Sequence, residues 1–116
     1  MRRLNNCLIN KKYTGIPIWF MRQAGRYLNE FRKIRKKNLN FINLCLNKNL
    51  VKKISLQPIK RFDLDAVIIF SDILMIPYAL GQKVTFKKNF GPMLDKFNTD
   101  KILKTESNKF TNKLNN

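Results

Sequence analysis

Histidine is absent from this 116-residue chain. That absence removes the Ser-His and Cys-His pairs of nucleophilic catalysis. The two cysteines, Cys7 and Cys45, stand far apart and outside any C-x-x-C spacing, so an ordinary zinc site is excluded as well. Isolated cysteines of this kind suit a reducing cytosol, where they serve mostly as small hydrophobes. Acids are scarce: seven Asp and Glu face 24 Lys and Arg, for a formal charge of +17. Any catalysis must run on Asp, Glu, Tyr, Lys or Arg. Long apolar runs are missing too. "MRRLNNCLINKKYTG" is basic without a hydrophobic centre, which argues against a secretory signal and for a short leader over residues 1–15. The most apolar window, residues 64 to 80, is broken by Asp65, Asp72 and Pro77 and does not read as a membrane span.

What is present describes one small domain. Apolar residues make up 44% of the chain, too many for a disordered polyelectrolyte. The charge points to an anionic partner: nucleic acid, an anionic membrane or a polycarboxylate. Lys, Asn and Ile also crowd chains with an AT-rich coding background, so charge on solvated faces chooses among these partners only with further signals.

Periodicity supplies some. "YLNEFRKIRKK", residues 27 to 37, carries Tyr27, Leu28, Phe31, Ile34 and Arg35 at helical spacing. A second helix starts at Asn47 or Asn49, either of which suits a cap. Its stripe is Val51, Ile54, Ser55, Pro58, Ile59 and Phe62, with a kink expected at Pro58. Then the period changes. "DAVIIFSD", residues 65 to 72, is a continuous, β-branched run, the pattern of a strand buried on both faces in a parallel sheet. Helix followed by buried strand predicts an α/β protein. "PYALG" reads as a short helical turn with glycine past its end. "KVTFK", residues 83 to 87, reads as a strand or hairpin arm. Residues 98 to 116 read as a poor helix through Ile102, Leu103, Glu106 and Phe110, or as a frayed tail.

Three side chains are candidates for chemistry. In "IPIWFMRQAGRYL", residues 16 to 28, an apolar run ends in Arg22 and Arg26 flanking Gln-Ala-Gly. Gly25 disfavours a helix there and suits a tight turn that aims both guanidiniums at one anion. Trp19, Phe20 and Met21 predict that the pair leaves a buried segment. Arginine's planar fork matches carboxylates as lysine's point charge does not. A solvated basic loop is the bland alternative, and "RKIRKK" at 32 to 37 and "FKKN" at 86 to 89 read as such faces. Asp72, just past the expected strand, lies where α/β sheets and barrels bind ligands. Its bland alternative is a cap on the next turn.

"PIWFMRQAGRYL", "SLQPIKRFDLDAVIIFSDIL" and "ALGQKVTF" together resemble the opening third of the uroporphyrinogen decarboxylase family. The likeness covers residues 16 to about 94, in family order and spacing, leaving 95–116 as a divergent tail. It implies a cofactor-free cytoplasmic lyase of tetrapyrrole (heme) biosynthesis that turns four acetate side chains of uroporphyrinogen into methyls, giving coproporphyrinogen. It also implies a (β/α)₈ TIM barrel, of which this is the N-terminal portion, assembled as a homodimer with facing clefts. By position, Arg22, Gln23, Ala24, Gly25 and Arg26 become the substrate-binding loop. Asp72 becomes the aspartate at the pyrrole N–H groups, with Arg22 and Arg26 beside it in the catalytic set. Which group donates the proton stays open.

The pattern also departs from the family. A barrel takes about 250 residues. The family's later tyrosine, serine and near-C-terminal histidine have no counterpart here, and Asn29 replaces a usual proline. On its own such a chain is expected neither to fold as a stable monomer nor to turn over substrate, since an unclosed parallel sheet leaves edges uncovered. A decayed relic is one alternative reading. A small basic nucleic-acid-binding protein, resting on the charge and a pI near 10.4, is the other.

Overall fold

The structure, a computed structural model, describes residues 3–12, 15–87, 90–96 and 98–115. Lys88 and Asn89 of the second basic cluster, and parts of the expected leader and tail, lie outside them. The chain divides into two compact units, Met1–Phe70 and Ser71–Asn116.

The first unit holds α1 (Arg3–Asn10), α2 (Asn29–Lys37), α3 (Phe41–Leu46) and α4 (Lys48–Arg61). Asparagine side chains start two of these helices. Asn40 Oδ1 accepts from Asn43 N–H at 3.1 Å, and Asn47 Oδ1 from Leu50 N–H at 3.0 Å, each satisfying an otherwise orphaned donor of a first turn. Asn47 also closes α3, so one residue ends a helix and begins the next. The expected start of α4 at Asn47 holds, and the helix runs on through Pro58 to Arg61. Helix α2 starts two residues later than its periodicity suggested. Tyr27 lies in the preceding turn and is exposed, as is Phe62 beyond the end of α4.

Leu28, Phe31, Leu44 and Ile54 form the core, with Ala24, Ile34, Phe41, Leu50 and Phe70 packed around them. Phe70 meets Phe31 and Phe41 edge-on, with ring centroids 5.6 and 6.2 Å apart, the arrangement their quadrupoles favour.

Residues 65–72 do not form the expected buried strand. Only Asp65 of this run is buried; Val67, Ile68 and Ile69 are exposed, Ile69 to 71%. Burial on both faces requires neighbouring strands and a further layer. Among the described residues this run has one backbone–backbone bond to the rest of the unit, Asp65 N–H to Ile18 O at 2.9 Å. Its other contacts are made by side chains. Ser55 Oγ accepts from Phe70 N–H at 2.8 Å and donates to Val51 O at 2.8 Å, tying the end of the run to α4.

The second unit holds α5 (Met75–Ala79), the hairpin of β1 (Val84–Lys87) and β2 (Gly91–Leu94), then α6 (Thr99–Leu103) and α7 (Ser107–Leu114). Helix α5 begins two residues before Pro77. It ends as expected on Gly81, whose φ of +87° lets its N–H reach Tyr78 O and that of Gln82 reach Pro77 O. The strands pair antiparallel, Val84 opposite Leu94 and Lys87 opposite Gly91, so the "KVTFK" stretch is a hairpin arm. The tail forms two short helices rather than one. Together the units make a mixed α/β chain, and no described helix is long and apolar enough to cross a membrane.

Candidate functional site

The arginine loop is built between two anchors. Upstream, Asp65 grips Ile18: Ile18 N–H donates to Asp65 Oδ2 at 2.9 Å, and Asp65 N–H donates back to Ile18 O at 2.9 Å. Downstream, the buried Leu28 seats the start of α2 in the core. Between them Leu28 N–H donates to Gly25 O at 3.0 Å, closing a turn with Arg26 and Tyr27 at its centre. Arg32 Nη1 donates to Arg26 O at 2.9 Å, and the Tyr27 hydroxyl donates to Gln23 O. The segment is therefore a loop, as Gly25 suggested.

Its side chains divide sharply. Arg22 and Arg26 are exposed, and neither guanidinium makes a hydrogen bond or ion pair among the described residues. Ala24 packs half-buried against the core. Gln23 is only 5% exposed; its Nε2 donates to Ala66 O at 3.1 Å and its Oε1 accepts from Ile68 N–H at 3.2 Å. Sequence reasoning placed Gln23 in the loop without distinguishing it from the arginines. A neutral amide between two cations was the available signal, since only it can bond two backbone groups of opposite polarity without burying a charge.

Two expectations about the loop fail. Trp19, Phe20 and Met21 are exposed, so the arginines follow an exposed apolar segment rather than a buried one. No described layer covers them. Gly25 lies outside the left-handed region, and a Cβ there would meet only the Tyr27 ring, at 3.5 Å. Its carbonyl, which any residue has, closes the turn. Nothing within the described chain demands glycine at this position.

Asp72 belongs to the second unit and is half-buried. Its Oδ1 accepts from Leu74 N–H at 2.9 Å, and its carbonyl accepts from Met75 N–H at 3.1 Å. It thus organises the turn into α5, the bland role considered for it. Oδ2 has no partner among the described residues, so half of the carboxylate is uncommitted. Asp72 does not follow a strand, because residues 65–72 form none.

The acid that sequence reasoning overlooked is Asp65. Its side chain is 3% exposed and also accepts from Arg3 Nε at 3.0 Å, while Arg3 Nη2 reaches Asp63 Oδ2 at 2.8 Å. The Ile18 N–H, and after it Arg3, hold the Asp65 carboxyl below the usual aspartate range against the opposing effect of desolvation. Glu30 is lowered as well, chiefly by its own backbone N–H, with Arg61 adding a two-pronged contact at 3.1 and 3.2 Å. Among the described residues no group of three His, Cys, Asp or Glu could hold a metal ion.

Fold and loop thus define a mixed α/β chain that presents, from an anchored loop, two arginines uncommitted among the described residues. It belongs to the uroporphyrinogen decarboxylase family: the family model "Uroporphyrinogen decarboxylase (URO-D)" matches residues 1–114. This match extends beyond residues 16–94 on both sides. The chain is 52% identical over 114 residues to a uroporphyrinogen decarboxylase of Rickettsia felis, covering 98% of this chain and 33% of that protein. It is 50% identical over 99 residues to that of Rickettsia akari, covering 85% of this chain and 29% of the relative. With that of Rickettsia massiliae the figures are 53% over 89 residues, 77% and 26%. The chain spans about a third of the length of the curated relatives it matches.

Proposed function

We propose that this chain supplies the porphyrinogen-gripping loop and the pyrrole-facing aspartate of a uroporphyrinogen decarboxylase. That enzyme is a cytoplasmic, homodimeric (β/α)₈ barrel of tetrapyrrole biosynthesis in this reading. The observation that carries it is the loop at 22–26, where two exposed arginines stand without partners among the described residues on a backbone fastened at both ends. Partnerless guanidiniums in a fixed loop are ready to receive carboxylates, and uroporphyrinogen carries eight.

Arg22 and Arg26 bind acetate and propionate groups by charge-assisted, forked hydrogen bonds. Ala24 and Gly25 bring the loop backbone close to the macrocycle. Gln23 belongs to the same loop. Asp72 keeps the Leu74 N–H on Oδ1 and turns Oδ2 to the pyrrole N–H groups.

Decarboxylation must place the electrons of the breaking C–C bond. Protonation of a pyrrole carbon beside the acetate makes a cationic ring, which accepts the bonding pair as carbon dioxide leaves. Protonation of the resulting exocyclic methylene gives the methyl, and loss of the ring proton restores the pyrrole. The ionised Asp72 stabilises the cationic stage electrostatically. The ring itself is the electron sink, so this route uses no cofactor or metal.

Titration with uroporphyrin, the air-stable octacarboxylate, tests the binding step by fluorescence quenching. Saturable quenching is expected, with Arg22→Gln and Arg26→Gln each weakening it by about tenfold, the loss of one charge-assisted contact. Affinity in both variants unchanged from that of the unsubstituted chain would refute the loop's role. For the reaction, the protein isolated from its source is assayed for coproporphyrinogen, and its intact mass is compared with that of an about 250-residue barrel.

A further inference from the structure

The five residues of the loop are physically unlike. Arg22 and Arg26 end in exposed groups without partners among the described residues, whereas both ends of the Gln23 amide are occupied by backbone. The two partners, Ala66 O and Ile68 N–H, flank residue 67. In a parallel sheet, one residue of a neighbouring strand accepts from and donates to just such a flanking pair. The Gln23 side chain therefore imitates one rung of a parallel ladder for a run that has no ladder of its own.

We infer that Gln23 is a positioning residue and does not contact the substrate. It locks the loop to residues 66–68, and so holds the backbone from which Arg22 and Arg26 project. Three further contacts support this. The Tyr27 hydroxyl donates to the Gln23 carbonyl, Ala24 packs on the core, and Asp65 holds Ile18 on the segment before the loop. Releasing the amide to a ligand would break two hydrogen bonds and leave a buried side chain unpaired, a cost a ligand must then offset. The inference rests on the porphyrinogen reading of the loop and narrows it to the two arginines.

Amide hydrogen exchange at Ile68 reports this bond directly, because its N–H is held by Gln23 Oε1. Exchange is measured in the unsubstituted chain with and without saturating uroporphyrin, and in Gln23→Leu, alongside uroporphyrin titration. A positioning role predicts slow Ile68 exchange that uroporphyrin leaves slow or slows further. Gln23→Leu then exchanges about tenfold faster and binds uroporphyrin more weakly although both arginines remain. Faster Ile68 exchange on adding uroporphyrin would overturn the inference, and this measurement needs no variant. So would weaker binding by Gln23→Leu with Ile68 exchange unchanged, or no change in either. If the unsubstituted chain does not bind uroporphyrin, the porphyrinogen reading fails, and Ile68 exchange in Gln23→Leu alone decides whether the anchor exists.

Discussion

Asp65 and Ile18 hold each other by two hydrogen bonds of 2.9 Å, one from each backbone N–H, although 47 residues separate them. Only one of the two acceptors is backbone; the other is the Asp65 carboxylate, which Arg3 also engages. A single side chain thus joins the start of the arginine loop, the apolar run and α1.

Acid should loosen this junction. The Asp65 carboxyl titrates below its ordinary range, so its stabilisation is complete above the unfolded aspartate pKa of about 4. It declines as pH falls below that value and is gone once pH passes below the folded-state pKa. Glu30, lowered in the same direction, adds to the effect. Thermal melts between pH 7 and 2 should show Tm falling below about pH 4. Asp65→Asn should melt lower at neutral pH and show a shallower acid decline. An undiminished decline in that variant would assign the acid sensitivity to other carboxylates.

Ser55→Ala should uncouple the apolar run from α4. The hydroxyl accepts from Phe70 N–H, and its loss leaves that donor without its partner. A cost of about 1–3 kcal/mol in denaturant unfolding is expected, with faster amide exchange at Phe70. An unchanged Phe70 amide would mean that this bond does not hold the run.

Ile54→Ala probes the core. Ile54 is fully buried and touches the cluster of Leu28, Phe31 and Leu44. Removing its outer carbons should cost about 2–5 kcal/mol, the range for a large-to-small change in a packed core. Urea denaturation followed by Trp19 fluorescence measures it, and a cost under about 0.5 kcal/mol, the range of surface substitutions, would show that the cluster is not the unit's core.

Gly25→Ala separates folding from binding. The glycine's φ lies outside the left-handed region, and the new Cβ meets the Tyr27 ring at an ordinary 3.5 Å. Stability should hold or rise by up to about 1 kcal/mol through lost chain entropy. If the loop binds as proposed, uroporphyrin affinity should fall, because the methyl group would occupy the surface from which a macrocycle approaches the backbone. Unchanged affinity would remove Gly25 from the binding surface.

Much of the local structure was legible because its causes are local. Asn47 before an apolar stripe is a cap within four residues of what it caps, and α5 ends at Gly81 through bonds from Gly81 N–H to Tyr78 O and from Gln82 N–H to Pro77 O. The first arm, 84–87, could be read in the same way, and its partner 91–94 lies close in sequence. The candidate site was legible in part: the loop and its arginines could be read, but not that Gln23 turns inward. Nor could the exposure of Trp19, Phe20 and Met21 be read, since large apolar side chains say only what they would favour and not whether a layer lies over them.

By itself the sequence determined α2 and α4, the first arm of the β1–β2 pair, the loop with its two arginines and the family to which the chain belongs, but not α1 or α3. Tertiary structure alone decided the fate of residues 65–70. A β-branched run is suited to a buried strand, but a strand exists only where another supplies its hydrogen bonds, and that partner is non-local. In this unit Ile18, Gln23 and Ser55 supply them instead, from positions 15 to 47 residues away. The run therefore becomes a strap outside any strand, with Phe70 packed against the core and Ile69 in solvent.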